Sequence, residues 1–129
     1  MNAYFAAAGG LAFMVGLAHS ILGERLVFSR MRAAGLVPTQ GGTVLLERHV
    51  RILWATWHVV TAIGWCLAAV LVWLSLSSVG QAAQSVIALL IAAAMGVSAL
   101  LVLVGTKGRH PGWVGLAGVA VLAAIGVYS

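Results

Sequence analysis

The longest uncharged stretch of this sequence runs from residue 52 to residue 106 and contains no Asp, Glu, Lys or Arg. A helix needs about 20 apolar residues to cross the hydrocarbon core of a bilayer, so this stretch can supply two crossings. Serine, glycine and glutamine in residues 75–81 predict the turn between them. Of the 129 residues, 63% are hydrophobic and only 7% are charged, against about 25% charged in soluble domains. The sequence therefore predicts an all-α integral membrane protein with a single domain.

An apolar segment on each side of this stretch completes a predicted four-transmembrane-helix bundle. The expected helices cover about residues 3–22, 44–75, 82–104 and 111–128, and an interfacial loop of residues 23–43 joins the first two. Basic and apolar residues alternate in the first half of that loop, which favours a short amphipathic helix. Thr43 is the expected N-cap of the second helix, and Pro111 suits the first position of the fourth.

The basic residues predict the orientation of the bundle. All seven lie in the first or the third connection: Arg25, Arg30, Arg32, Arg48, Arg51, Lys107 and Arg109. Because cytoplasmic loops are enriched in Lys and Arg, we expect both connections in the cytoplasm and both termini on the non-cytoplasmic side. The expected location is a bacterial-type inner (plasma) membrane, crossed several times. Topology accounts for the net charge of +5, and no nucleic-acid partner is implied.

Polar chemistry enters the apolar chain where the second helix begins. One face of that helix carries polar or aromatic residues at every third or fourth position: Glu47, Arg51, Trp54, His58, Thr61 and Trp65. The predicted topology places His19, Glu24 and His110 in the same cytoplasmic half of the bundle. We expect a polar ligand-binding pocket formed by His19, Glu24, Glu47, Arg51, Trp54, His58, Thr61, Trp65 and His110.

Two histidines, His19 and His58, are predicted to lie inside the membrane, where an ionisable side chain is costly and usually marks function. On separate helices they could ligate a metal ion or a haem, with Glu24 or Glu47 as a further ligand or as the acceptor that orients an imidazole. The alternative, which the absence of any metal-binding spacing favours, is structural. In that case each histidine is satisfied by a neighbouring carbonyl, hydroxyl or carboxylate.

Nucleophilic catalysis finds little support in the sequence. Ser20 and Cys66 are the only reasonable nucleophiles. Ser20 adjoins His19 in sequence and therefore faces a different direction on the helix, and Cys66 has no evident base.

These observations predict a small inner-membrane accessory or binding protein whose pocket takes a metal ion, a haem or a lipid-like ligand. Membrane lipid is the expected partner. Two stripes of small residues favour close helix packing and can serve a homo-oligomer or a larger membrane complex: Ala8, Ala12, Gly16 and Ser20, and Ala88, Ala92 and Gly96. The alternative is a membrane enzyme or proton-coupled transporter that uses His58 with Glu24 or Glu47 as acid and base on a lipid-soluble substrate.

Overall fold

The computed structural model describes residues 1–129 and contains helices, turns and one isolated bridge, with no β-strand. Four α-helices follow one another along the chain: α1 (Ala3–Leu26), α2 (Glu47–Leu76), α3 (Gln81–Gly105) and α4 (Gly112–Gly126). A 3-10 helix, Phe28–Met31, follows α1. The prediction of an all-α protein is confirmed.

Three helical segments are long and apolar enough to cross a membrane. They are Ala3–Met31, which joins α1 to the 3-10 helix, Glu47–Leu76 and Gln81–Gly105. The fourth helix has 15 residues and is therefore about 22 Å long, shorter than the roughly 30 Å hydrocarbon core. Length and apolar composition together indicate a membrane protein.

The ends of the first two helices differ from the expected positions. α1 continues to Leu26 instead of ending near residue 22, because Glu24 and Arg25 do not break a helix. α2 begins at Glu47 because Gly41 and Leu45 pair in an isolated antiparallel bridge and hold the residues between them in a turn. Thr43 lies in that turn, so its expected role as a helix N-cap is wrong.

Residues Met1–Val15 and Gly64–Ser129 form one compact unit. Its core contains buried side chains from every helix, among them Phe5, Leu71, Ile91 and Val119. α4 runs antiparallel to α1, with three of its glycines against successive α1 side chains. A Cβ added to Gly115, Gly118 or Gly126 would come within 2.7, 3.0 and 2.5 Å of Val15, Leu11 and Phe5 respectively.

The two chain termini meet in this unit through Asn2. Its Oδ1 accepts the backbone N–H groups of Tyr4 and Phe5, both at 3.1 Å, and so caps α1. Its Nδ2 donates to the Gly126 carbonyl at 2.8 Å and to Ser129 Oγ at 2.9 Å. The start of α1 is thereby fastened to the end of α4.

The small-residue stripes have different surroundings within this unit. Ala8 and Ala12 are buried in its core, as is Ala88. Ala92 and Gly96 remain partly exposed on α3. The α1 stripe serves internal packing, and the homo-oligomer or larger complex stays a prediction.

Residues Gly16–Ile63 form the second compact unit, which holds the end of α1, the 3-10 helix and the start of α2. Phe28 of the 3-10 helix is buried, with its ring 5.5 Å from that of Trp57 in an edge-to-face arrangement. The loop closes where the Met31 carbonyl accepts the N–H groups of Thr39 and Gln40, at 3.0 and 2.9 Å. This closure brings residues 39 and 40 back against the end of the 3-10 helix.

Candidate functional site

Six polar and aromatic side chains of the second unit form one connected group, which we call the Glu24 cluster. Its members are Ser20, Glu24, Arg32, Trp54, His58 and Thr61. Ser20 and Glu24 lie four residues apart and therefore on one face of α1. Trp54, His58 and Thr61 follow the same rule on α2. The cluster exists because these two faces meet, and the loop adds Arg32.

Glu24 lies at the centre of the cluster, with its carboxylate bound from three directions. Oε1 accepts a charge-assisted hydrogen bond from the Arg32 guanidinium. Oε2 accepts from the indole N–H of Trp54 at 3.2 Å and lies 3.6 Å from His58 Nε2. The Glu24 side chain is 34% exposed. The carboxylate is thus held by a guanidinium and an indole N–H, and His58 faces it just beyond hydrogen-bond distance.

His58 links the carboxylate to two hydroxyl groups. Its Nδ1 lies 3.1 Å from Ser20 Oγ, and that oxygen lies 2.9 Å from Thr61 Oγ1. Ser20 donates its only hydroxyl hydrogen to Thr61, so in this arrangement Ser20 Oγ faces His58 Nδ1 as an acceptor. The ring also packs edge-on against Trp54 at 5.0 Å. The result is a chain of polar contacts in the order Glu24, His58, Ser20 and Thr61, in which the Glu24–His58 separation of 3.6 Å is longer than a hydrogen bond.

This chain ends at Thr61, whose hydroxyl turns back to the Trp57 carbonyl at 3.5 Å. Beyond it, α2 has only Trp65, Cys66 and Trp73 as weakly polar residues before Ser75. No side chain of α1 between Tyr4 and His19 can make a hydrogen bond through a polar group other than sulfur. The polar groups of α1 and α2 therefore form a local cluster.

His19 lies in an aromatic stack beside the cluster. Its ring stacks on Trp57, with centroids 4.2 Å apart and planes 8° from parallel, and the Trp57 indole donates to the His19 carbonyl at 3.0 Å. Gly23 makes room for this indole, since an added Cβ would lie 2.2 Å from Trp57 Nε1. Backbone bonding and stacking position the His19 ring.

The other predicted site residues have separate contacts. Glu47 pairs with Arg51 one turn further along α2 at 2.6 Å, with both side chains more than half exposed. In the first unit, Trp65 donates to the Phe13 carbonyl at 3.2 Å and stacks on the Phe13 ring. His110, also in that unit, accepts the Gly112 N–H through Nδ1 at 3.0 Å. The sequence left Glu24 and Glu47 as equal partners for His58, and the contact found is with Glu24.

A metal centre needs several ligands directed at one point. No group of three or more His, Cys, Asp or Glu side chains in the chain is placed to hold a metal ion. His58 directs one nitrogen at a hydroxyl and the other at a carboxylate. The metal or haem pair of His19 and His58 stays a prediction.

Two members of the cluster, Ser20 and Arg32, were not among the predicted site residues. Ser20 could have been found from its spacing, because it lies four residues before Glu24 and so shares its helix face. Arg32 had no such signal, since its contact with Glu24 depends on how the loop folds back after the 3-10 helix.

Comparison with known protein families, curated proteins and solved structures finds no match to this chain. Its function must therefore be argued from the geometry of the Glu24 cluster.

Proposed function

We propose that this protein is a multi-pass inner-membrane protein that binds an anionic, lipid-like ligand at the Glu24 cluster. The observation that carries the proposal is the meeting of Glu24, His58 and Ser20 at the junction of two apolar helices. His58 is 33% exposed and Ser20 is partly exposed. A membrane-embedded molecule can reach both, and intramembrane polar groups of this kind usually mark a site.

The depth of the cluster agrees with the position of a lipid head group. α1 has 24 residues and is therefore about 36 Å long, whereas the hydrocarbon core is roughly 30 Å thick. Glu24 lies in the last turn of this helix and Ser20 lies one turn before it. The cluster therefore falls near the boundary between acyl chains and head groups.

Charge favours an anionic ligand. Residues 16–63 contain five arginines and two glutamates, and both glutamates are paired, with Arg32 and Arg51. The other three arginines, Arg25, Arg30 and Arg48, are exposed. Each basic residue near a membrane surface contributes about 1 kcal/mol to the attraction of anionic lipid.

The proposed topology has four crossings, with both termini outside the cytoplasm. All basic residues lie in the first and third connections or in the helix ends next to them: Arg25 is in the last turn of α1, and Arg48 and Arg51 are in the first two turns of α2. The positive-inside rule favours the cytoplasm for such segments. The contact between Asn2 and Ser129 supports an even number of crossings, because it brings the two termini to one end of the first unit. α4 then counts as a crossing despite its length, since local thinning of the bilayer accommodates a short helix.

The test is the lipid content of the protein purified in mild detergent, measured by native mass spectrometry and by lipid extraction. Wild-type protein is expected to retain an anionic phospholipid. Arg25→Gln combined with Arg48→Gln should lose it, because both arginines lack an acidic partner. Lys107→Gln combined with Arg109→Gln removes the same charge from the third connection and should retain it.

Equal lipid retention in both double variants would show that general charge, and no site, holds the lipid. A visible haem band or a stoichiometric metal ion in the wild-type preparation would replace this proposal with the cofactor alternative. Loss of the haem band in His58→Ala would then identify His58 as a ligand of the haem iron.

A further inference from the structure

We propose that Ser20 is the nucleophile of an acyl-transfer site, with His58 as its general base and Glu24 as the carboxylate that orients the imidazole. The substrate class is the carboxylic ester of a membrane lipid, and the reaction is hydrolysis. The proposal rests on the proposed function for the lipid it acts on, and it adds a reaction to that binding site.

The geometry has the order that nucleophilic catalysis by serine requires. A base must lie within hydrogen-bond reach of the hydroxyl, and a third group must orient the base. His58 Nδ1 is 3.1 Å from Ser20 Oγ, and His58 Nε2 faces Glu24 Oε2 at 3.6 Å. The second distance is longer than a hydrogen bond, as is common before substrate binds. The three groups come from two helices, so their convergence is a result of the fold.

Arg32 and Trp54 position the carboxylate for this role. Arg32 binds one oxygen of Glu24, and Trp54 donates to the other oxygen, which also faces His58. A carboxylate held in this way favours the Nε2–H tautomer of the imidazole and stabilises the imidazolium when it forms. With Nδ1 unprotonated, the Ser20 hydroxyl turns its proton from Thr61 Oγ1, to which it donates in this structure, to His58 Nδ1.

The reaction proceeds in two balanced steps. Ser20 Oγ attacks the ester carbonyl carbon while its proton moves to His58 Nδ1. The bond from that carbon to the alkoxy oxygen then breaks, and His58 returns the proton to the leaving alcohol. Water next attacks the acyl-serine and gives a proton to His58, which passes it to Ser20 Oγ as the carboxylic acid leaves. No redox partner is needed.

A donor for the developing oxyanion must come from a side chain here. Ser20 lies inside α1, where the backbone N–H groups are used by the helix. The Trp57 indole already donates to the His19 carbonyl. Thr61 Oγ1, at 2.9 Å from Ser20 Oγ, is the hydroxyl close to the reacting atom. Its own hydrogen points to the Trp57 carbonyl over 3.5 Å, at the limit of a hydrogen bond, so it can turn to the oxyanion. Thr61 is assigned this role.

The position of Ser20 also suits an ester and water. It lies 17 residues beyond the first residue of α1, about 26 Å along a helix that must cross roughly 30 Å of hydrocarbon. Lipid ester groups lie at the edge of that layer, and water reaches the same depth. The nucleophile and its substrate bond therefore meet at one level of the bilayer.

The experiment is covalent labelling of the purified full-length protein by a fluorophosphonate probe in detergent micelles, read by intact mass. Wild-type protein should gain one adduct. Ser20→Ala should gain none, whereas Ser29→Ala, which removes a hydroxyl from the same unit that only contacts the Arg25 carbonyl, should label as wild type. His58→Ala should slow labelling by about 100-fold or more.

Absence of an adduct on wild-type protein, under conditions in which a soluble serine hydrolase labels in the same micelles, would overturn the proposal. So would an adduct that persists in Ser20→Ala. The lipid content of the wild-type protein, measured beside its labelling, separates the two proposals. If the wild-type protein retains lipid but is not labelled, only the proposed reaction is refuted. If it is labelled but retains no lipid, only the anionic-lipid proposal is refuted.

Discussion

Gly23 is the position where one added methyl group should disturb the site most selectively. In Gly23→Ala the new Cβ would lie 2.2 Å from Nε1, 2.4 Å from Cε2 and 2.8 Å from Cζ2 of Trp57. Carbon atoms in contact normally stay about 3.5 to 4.0 Å apart. The indole must therefore move by roughly 1 Å or more, away from the His19 carbonyl that it binds and the His19 ring on which it stacks.

The cost follows from those two contacts. A hydrogen bond contributes about 1 kcal/mol net, and an aromatic stack contributes about 1 kcal/mol beyond the area it buries. Their loss predicts that the free energy of unfolding falls by about 2 kcal/mol, within the roughly 1 to 3 kcal/mol typical of an overpacked core. Alanine is also a better helix former than glycine, by up to about 1 kcal/mol. A second glycine-to-alanine substitution in the same helix is needed as a control for this gain in helix propensity.

Gly10→Ala is the matched substitution, because Gly10 lies in the same helix with no atom within 4 Å of an added Cβ. The measurement is the SDS mole fraction at the midpoint of unfolding in mixed micelles, followed by tryptophan fluorescence. Gly23→Ala should unfold at a lower fraction than Gly10→Ala, by the equivalent of about 2 kcal/mol.

A second comparison tests the cause. In a Trp57→Phe background most of the clashing indole atoms are gone, so Gly23→Ala should cost less than it does beside the tryptophan. The packing explanation is wrong if Gly23→Ala and Gly10→Ala unfold at the same SDS mole fraction. It is also wrong if Gly23→Ala lowers the free energy of unfolding equally in the wild-type and Trp57→Phe backgrounds.

Two further predictions concern the carboxylates and the topology. Glu24→Gln should lower the free energy of unfolding by about 1 to 3 kcal/mol, because it leaves the Arg32 guanidinium without its charged partner. Glu47→Gln should lower it by less than about 0.5 kcal/mol, since the ion pair of Glu47 is exposed. Equal SDS midpoints for the two variants would contradict this prediction. In a Cys66→Ala background, a membrane-impermeant thiol reagent applied to intact cells should label Ser78→Cys in the second connection but not Gln40→Cys in the first, and the reverse pattern would invert the orientation.

The structure gathers the polar side chains of α1 and α2 into one place. Contacts run from Glu24 through His58 and Ser20 and end at Thr61. Binding, acid–base catalysis and transport are therefore all tested by substitutions in this one cluster.

Much of the fold was predictable because lipid is a simple solvent. An uncharged stretch that is long enough to cross twice must form helices, since backbone groups in hydrocarbon have to bond within the segment. The turn near residue 80 and the start of α4 near Pro111 followed from glycine and proline. The end of α1 did not, because Glu24 and Arg25 remain helical and polarity alone does not end a helix.

The sequence by itself determined the all-α class, the apolar helices and the faces of α1 and α2 on which polar side chains recur. Only the tertiary structure decided that Glu24 is the partner of His58, that Ser20 lies against His58, and that Arg32 completes the cluster. The physical reason is that helical period specifies which residues share a face on one helix. Which two faces meet, and at what register, depends on packing and on the path of the loop.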